Sequence, residues 1–192
     1  MRQNMKNLSL AILIALAVVG CRGSDGSLAQ QAGGASREEQ DSQRESAADE
    51  KQFVATLSEF ASLRERATAV TLYEVANQFD EGYANLKSNP QIGGYPITRK
   101  VHLTRETSLP LVMQLTNRST YFPAGEAWSC LFEPHHVLEL TAGDERALAV
   151  ICLLCGDVEF IMKGKSIGTH SIPSGKELYR ILSGFFPFRA AE

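Results

Sequence analysis

The chain has 192 residues, of which 44% are hydrophobic and 21% are charged, and its formal net charge at pH 7 is −3. This length is enough for one domain with a substantial core. The slight acidity and the absence of any run of Lys and Arg exclude the electrostatic footprint of a nucleic-acid-binding protein, so no nucleic-acid partner is expected.

The beginning of the chain has the layout of a secretory signal peptide. Arg2 and Lys6 precede an apolar run, Leu8 to Gly20, which is too short to span a bilayer. The run ends in Val18-Val19-Gly20-Cys21, which resembles the lipobox of bacterial lipoproteins. This resemblance implies that residues 1–20 are removed, that Cys21 is lipidated, and that membrane lipid is the first partner of the protein.

The resemblance also implies a location in the bacterial cell envelope. In this family an Asp directly after the lipidated Cys retains the protein on the inner membrane, whereas this chain has Arg22, so the outer membrane is favoured. Several acyl chains on one cysteine, palmitate among them, anchor a protein more firmly than one chain does. An unmodified cysteine in an ordinary signal peptide or in a short membrane anchor is the alternative.

The next segment, residues 21–50, is predicted to be a disordered tether that begins at the lipidated Cys21. Between Arg22 and Glu50 the only large aliphatic side chain is Leu28, so little apolar surface is available to offset the entropy of ordering. Some helix is expected near Ser36–Lys51, where Glu and Arg alternate. Residues 51–192 are predicted to form a single α+β domain.

Within this domain, hydrophobic periodicity predicts both helices and strands. Phe53, Leu57, Phe60 and Leu63 recur at helical spacing and predict a helix that ends near Arg66. Two more helices are predicted, a short one that begins at Ser108 and another at Lys176–Ser183, where Ser174 and Glu177 form a capping box. Strands are predicted at Ala69–Ala76, Tyr95–Leu103, Val137–Thr141, Ala147–Leu154 and Val158–Met162. The predicted fold class is α+β, an antiparallel sheet of about five strands with flanking helices.

The third and fourth strands are predicted to form a hairpin around Gly143-Asp144. Pairing Leu140 with Ala147 places His135 opposite Cys152, on the face opposite to His136. Cys130 and Cys155 then fall at the same end of the hairpin. The sequence therefore predicts a cluster of cysteine and histidine there, with a one-residue slip exchanging His135 for His136.

Four interpretations of this cluster stay open. In the first, zinc is bound by Cys130, His135, Cys152 and Cys155, with His136 as the alternative ligand, because Cys152-Leu-Leu-Cys155-Gly156 resembles a zinc knuckle. In the second, Cys130 forms a disulfide with Cys152 or Cys155, as an oxidising compartment favours. The third is a redox pair of Cys152 and Cys155, and the fourth is three small buried hydrophobic residues.

The sequence contains a second resemblance, over residues 128–162. Cys130-Leu-Phe-Glu-Pro-His-His, followed by an apolar strand and Cys152-Leu-Leu-Cys155, is similar to an uncharacterised group of exported bacterial proteins with a Cys…Pro-x-x…Cys-x-x-Cys pattern. The group implies no activity.

No catalytic residue is predicted. Gly164-Lys165-Ser166 lacks the first glycine of a phosphate-binding loop, since Glu159 stands in its place. The favoured function is therefore a non-catalytic envelope lipoprotein that binds a protein partner or supports the envelope, with the cysteine and histidine cluster as a structural staple. The alternative is a thiol- or metal-dependent envelope enzyme.

Overall fold

The structure, a computed structural model, describes residues 37–123, 131–173 and 175–186. The predicted signal peptide (1–20), Cys21, Cys130 and Ser174 lie outside these residues. All described residues belong to one compact unit, Ala35–Glu192.

The described elements alternate between strands and helices along the chain. The strands are β1 (Ala69–Val75), β2 (Gln91–Ile92), β3 (Tyr95–Leu103), β4 (His136–Ala142), β5 (Glu145–Cys152), β6 (Asp157–Met162) and β7 (Lys165–Ser171). The helices are α1 (Arg37–Arg66), α2 (Tyr83–Leu86), α3 (Arg105–Thr116) and α4 (Lys176–Ser183), with a short 3-10 helix at Arg118–Thr120.

The described strands form one antiparallel sheet in the order β2-β3-β1-β4-β5-β6-β7. The predicted α+β class and the antiparallel sheet are therefore confirmed. The predicted number of about five strands is wrong, because the sheet has seven. β2 is only two residues long, and β7 has no buried residue except Ser171, so neither carries the apolar pattern that marks a strand.

The sheet has two unequal apolar faces. On one face the side chains of β1, β4, β5 and β6 pack against α1, α3 and α4 and form the main core. Leu72, Leu138, Ile151 and Phe160 are fully buried there. The opposite face carries a smaller cluster around Val137 and Val150. The observed pairs Leu140–Ala147 and Val137–Val150 confirm the predicted register of the β4–β5 hairpin.

Helix α1 begins earlier than the pattern of its apolar residues predicts. It begins at Arg37 rather than near Phe53, and this confirms the helix expected near Ser36–Lys51 within the predicted tether. The first part of α1 is polar, and Glu50 holds it to the domain through an ion pair with the guanidinium of Arg118, where Glu50 Oε2 lies 2.7 Å from Nη2. The buried stripe of α1 comprises the four predicted residues, Phe53, Leu57, Phe60 and Leu63.

Helices α3 and α4 differ in how they begin. Helix α3 begins at Arg105, before the predicted Ser108, because Thr104 forms a capping box with Thr107. Helix α4 spans the predicted Lys176–Ser183. Its N-cap is Gly175, which has no side chain to bond, and the carboxylate of Glu177 accepts hydrogen bonds from Arg180.

Among the described helices, none combines the length and the apolar character that crossing a membrane requires.

Candidate functional site

A cleft of about 850 Å³ lies where α4 faces the ends of β1, β3 and β4. Its volume falls in the range of small-molecule binding sites. The surface of the lining is mostly apolar, although about half of the lining residues are polar. The polar residues come from β1, β3, the start of β4, the loop after β1 and α4. The lining comprises Glu74, Val75, Ala76, Asp80, Leu86, Thr98, Arg99, His135, His136, Leu153, Leu154, Tyr179, Leu182, Ser183 and Phe186.

The polar wall of the cleft is built by cross-strand pairing. Glu74 of β1 is paired with Arg99 of β3 on one side and with His136 of β4 on the other. Directly paired residues of an antiparallel sheet point to the same face. Arg99, Glu74 and His136 therefore form a row on the helix-covered face, in one wall of the cleft.

The charges of Glu74 and Arg99 compensate each other. Arg99 donates from both Nε and Nη2 to the carboxylate, with Nη2 lying 2.5 Å from Oε1 of Glu74. This pairing lowers the pKa of Glu74 and raises the pKa of Arg99. The guanidinium also stacks on the ring of Phe186, 5.0 Å from its centroid, so Arg99 is held in place from two sides.

His136 is buried in the wall of the cleft, with 7% of its surface exposed. Its Nδ1 atom has no hydrogen-bond partner among the described residues, and its ring packs 5.8 Å from that of Phe186. Burial lowers the pKa of His136 to about 4, against an opposing attraction from Glu74. The imidazole is therefore neutral at neutral pH, and the polar wall carries no cation other than the paired Arg99 among the described lining residues.

His135 is turned away from β5 and toward the loop that follows β1. Its Nε2 lies 2.9 Å from Nδ2 of Asn77 and 3.4 Å from Oδ1 of Asp80. Asn77, which is 2% exposed, also bonds Asp80 through its backbone N–H and its side-chain amide. These contacts fix the loop beside the cleft and supply the polar rim at Asp80.

The two described cysteines differ in chemical state. Cys152 is a free thiol at 0% exposure, whereas Cys155 is disulfide-bonded. Sγ of Cys155 lies 3.1 Å from the carbonyl oxygen of Leu131, the residue that follows Cys130 in the sequence. The chain directly after Cys130 therefore passes beside Cys155.

The described members of the predicted zinc site do not form a ligand set. No group of three or more His, Cys, Asp or Glu side chains suited to a metal occurs within the described residues. The sulfur of Cys155 is engaged in a disulfide, and Nε2 of His135 is engaged by Asn77. The alternative ligand His136 faces the main core, like its partner Ile151, whereas Cys152 follows Val150 on the other face. Cys130 lies outside the described residues.

Sequence reasoning missed the Glu74–Arg99 pair and the contribution of Phe186. The hairpin between β4 and β5 is local, but β1 and β3 are joined through α2 and β2, and no short-range signal defined their pairing. The one available hint was that opposite charges, Glu74 and Arg99, stand near the ends of two predicted strands.

Comparison with known proteins supplies no relative: no family model matches the chain, and neither a curated protein nor a solved structure matches it.

Proposed function

We propose that this chain is a lipid-anchored protein of the bacterial cell envelope whose α+β domain binds an apolar or amphipathic ligand in the cleft beneath α4. The anchor is the acylated Cys21 of the lipobox Val18-Val19-Gly20-Cys21, and Arg22 favours the outer membrane. The domain acts as a binding module and not as an enzyme.

One observation carries the binding function, namely the cleft of about 850 Å³ with a largely apolar lining. Ligand sites are typically concave and apolar with a few polar groups at one side, and this cleft has that composition. Its depth is apolar, with Leu182 at 1% and Phe186 at 6% exposure, while Glu74, Arg99 and His136 occupy one wall.

We also propose that Cys155 pairs with Cys130 and that this disulfide is the structural staple of the domain. The proximity of Leu131 to Cys155 supports the pairing. The bridge would close the connection between α3 and β4 against the turn between β5 and β6. A thiol enzyme is less well supported, because the free thiol of Cys152 has no exposed surface through which to reach a substrate.

The binding function is tested by titrating the full chain, carrying Cys21→Ser so that no acyl chain of its own is attached, with the uncharged dye Nile red. We expect a saturable, blue-shifted emission from one site. Ser183→Trp, which places a bulky ring in the cleft, should abolish the signal, whereas Arg180→Trp on the exposed side of the same helix should preserve it. Equal binding by both variants would contradict the proposal.

The anchor is tested separately in cells. Growth with a labelled fatty acid should label the wild-type protein and leave the Cys21→Ser variant unlabelled. An unlabelled wild-type protein that retains residues 1–20 would contradict it.

A further inference from the structure

The charges around the cleft constrain the head group of its ligand. Besides two histidines, the described lining residues include two acidic side chains, Glu74 and Asp80, and one basic side chain, Arg99. The fork of Arg99 is already occupied by Glu74, and Thr98 Oγ1 donates to the same carboxylate at 3.2 Å. Asp80 adds a second acidic side chain, which is held by hydrogen bonds from Asn77. An anionic head group would therefore meet no unpaired Lys or Arg among the described lining residues, which disfavours it.

Exposed apolar side chains stand at the mouth of the cleft. Leu154 and Tyr179 line the cleft and are 76% and 46% exposed. Single exposed apolar residues are common, but these two line one opening, and exposed apolar side chains grouped at a cleft mark an interaction site.

The exposed apolar residues of the rim and the buried apolar residues line the same cleft. Leu153 and Leu154 stand on the turn between β5 and β6, and Leu182 and Phe186, which line the same cleft, are buried. A long alkyl chain fits such a path, because each methylene that leaves water contributes favourably along its whole length. A compact polar ligand would leave this rim unused.

We propose that the cleft takes a single long alkyl or acyl chain with an uncharged head group, drawn from a lipid layer past the exposed rim of Leu154 and Tyr179. This inference rests on the proposed binding function and narrows it to a class of ligand. The paired charges of Glu74 and Arg99 compensate each other in the polar wall, and the rim contacts the lipid surface while the chain enters.

The head-group preference is tested by displacement of Nile red from the full Cys21→Ser chain at pH 8, below the critical micelle concentrations. The competitors share one chain length and differ in charge: monolauroylglycerol, laurate and dodecyltrimethylammonium. We expect the uncharged amphiphile to compete at least about tenfold more strongly than laurate, a difference equivalent to about 1.4 kcal/mol. Laurate or dodecyltrimethylammonium competing as strongly as monolauroylglycerol, or more strongly, would overturn the ligand class but leave the proposed binding function intact. Failure of Nile red and of all three amphiphiles to bind would overturn both.

The role of the rim is tested by transfer of a fluorescent monoacylglycerol from phosphatidylcholine vesicles to the protein. Leu154→Glu changes a side chain that is 76% exposed, so the fold should persist, and transfer should slow at least about fivefold. The matched control is Met113→Glu, at a residue that is 60% exposed and lines a different groove. Equal transfer rates for the two variants would overturn delivery through the rim, and transfer that follows only the free monomer concentration would assign the ligand to solution.

Discussion

Glu74 lies directly opposite His136 across β1 and β4, and both side chains belong to the helix-covered face of the sheet. The carboxylate is nevertheless committed to Arg99 on the other side, so it accepts no hydrogen bond from the imidazole among the described contacts. This arrangement leaves a neutral, buried histidine beside a satisfied ion pair. The polar wall of the cleft is consequently uncharged overall at the position where a ligand would lie.

The burial of His136 makes the stability of the domain depend on pH. Its pKa is lowered to about 4 in the folded protein, against an ordinary value of 6.5, so the unfolded chain binds this proton first as the pH falls. The contribution of the neutral imidazole to the free energy of unfolding is fully present above pH 6.5. It is lost progressively between pH 6.5 and about pH 4, at roughly 1.4 kcal/mol per pH unit and about 3 kcal/mol in total.

Urea denaturation of the wild type and of His136→Leu at pH 8, 6 and 5 measures this contribution. We expect the wild type to lose stability relative to the variant as the pH falls, with the two closest at pH 8. His170 is also partly buried with a lowered pKa, but it is present in both proteins and its contribution cancels. Parallel stability curves for the two proteins would show that His136 is not buried as described.

Position 156, directly after Cys155, requires a glycine because the backbone of Ile172 passes too close for a Cβ. Its φ is +73°, and a Cβ at this position would lie 2.5 Å from the carbonyl oxygen of Ile172. The two residues are also joined by a hydrogen bond from the N–H of Ile172 to the carbonyl of Gly156, at 2.9 Å. Gly156→Ala should therefore destabilise the domain by about 3 kcal/mol or more. The left-handed backbone conformation costs a residue with a Cβ roughly 1–2 kcal/mol, and the clash with the carbonyl oxygen of Ile172 adds to this cost.

The matched control for this change is Gly143→Ala in the β4–β5 turn. Gly143 has a similar φ of +61°, but nothing lies within 4 Å of its Cβ position. Only the conformational strain applies there, roughly 1–2 kcal/mol. The difference between the two variants in urea denaturation isolates the clash, and equal losses would exclude it.

The parts of the fold that the sequence predicted are those set by local patterns. The Gly143-Asp144 turn fixed the register of β4 and β5, and so the alternation that separates His135 from His136. The pairing of β1 with β3 depends on contacts between distant segments, and so the Glu74–Arg99 pair could not be predicted. The cleft itself exists only once α4 has packed on the sheet.

The sequence also left open whether the cysteines are free, bound to metal or joined in a disulfide. The spacing of Cys152 and Cys155 is compatible with zinc, with a disulfide and with a redox pair, since all three need two nearby sulfurs. What distinguishes the two cysteines is position: Cys152 is a buried strand residue, whereas Cys155 lies in the turn beside Leu131. Such a difference appears only when the segment after Cys130 has been placed.

Phe53 on α1 contacts three rings, two of which belong to the sheet. Its ring contacts Tyr121 edge-on at 5.0 Å, stacks on His170 at 3.5 Å and lies 6.3 Å from Phe160. Phe53→Ala should destabilise the domain by about 3–5 kcal/mol, because it leaves a cavity among these rings. The neighbouring Val54 is 45% exposed, and Val54→Ala should change the free energy of unfolding by less than about 1 kcal/mol. Thermal denaturation of the pair checks the prediction, and similar losses would contradict the packing of α1.

The pairing of the cysteines can be decided by counting thiols in the full Cys21→Ser chain. In the native protein Cys152 should resist alkylation because it is fully buried, and it should react after unfolding without any reductant. Cys155 should react only after reduction, together with Cys130 if these two are joined. One thiol in denaturant alone and three after reduction is therefore the expected result, with Cys130 and Cys155 recovered in one linked peptide.

The same count separates the disulfide from the zinc site. If zinc held Cys130, Cys152 and Cys155, a chelator in denaturant would release three reactive thiols with no reductant, because metal-bound thiolates are not oxidised. The two outcomes differ by two thiols before reduction. The release of three would overturn the disulfide, and with it the proposal that a covalent bridge holds the chain after Cys130 beside the rim of the cleft.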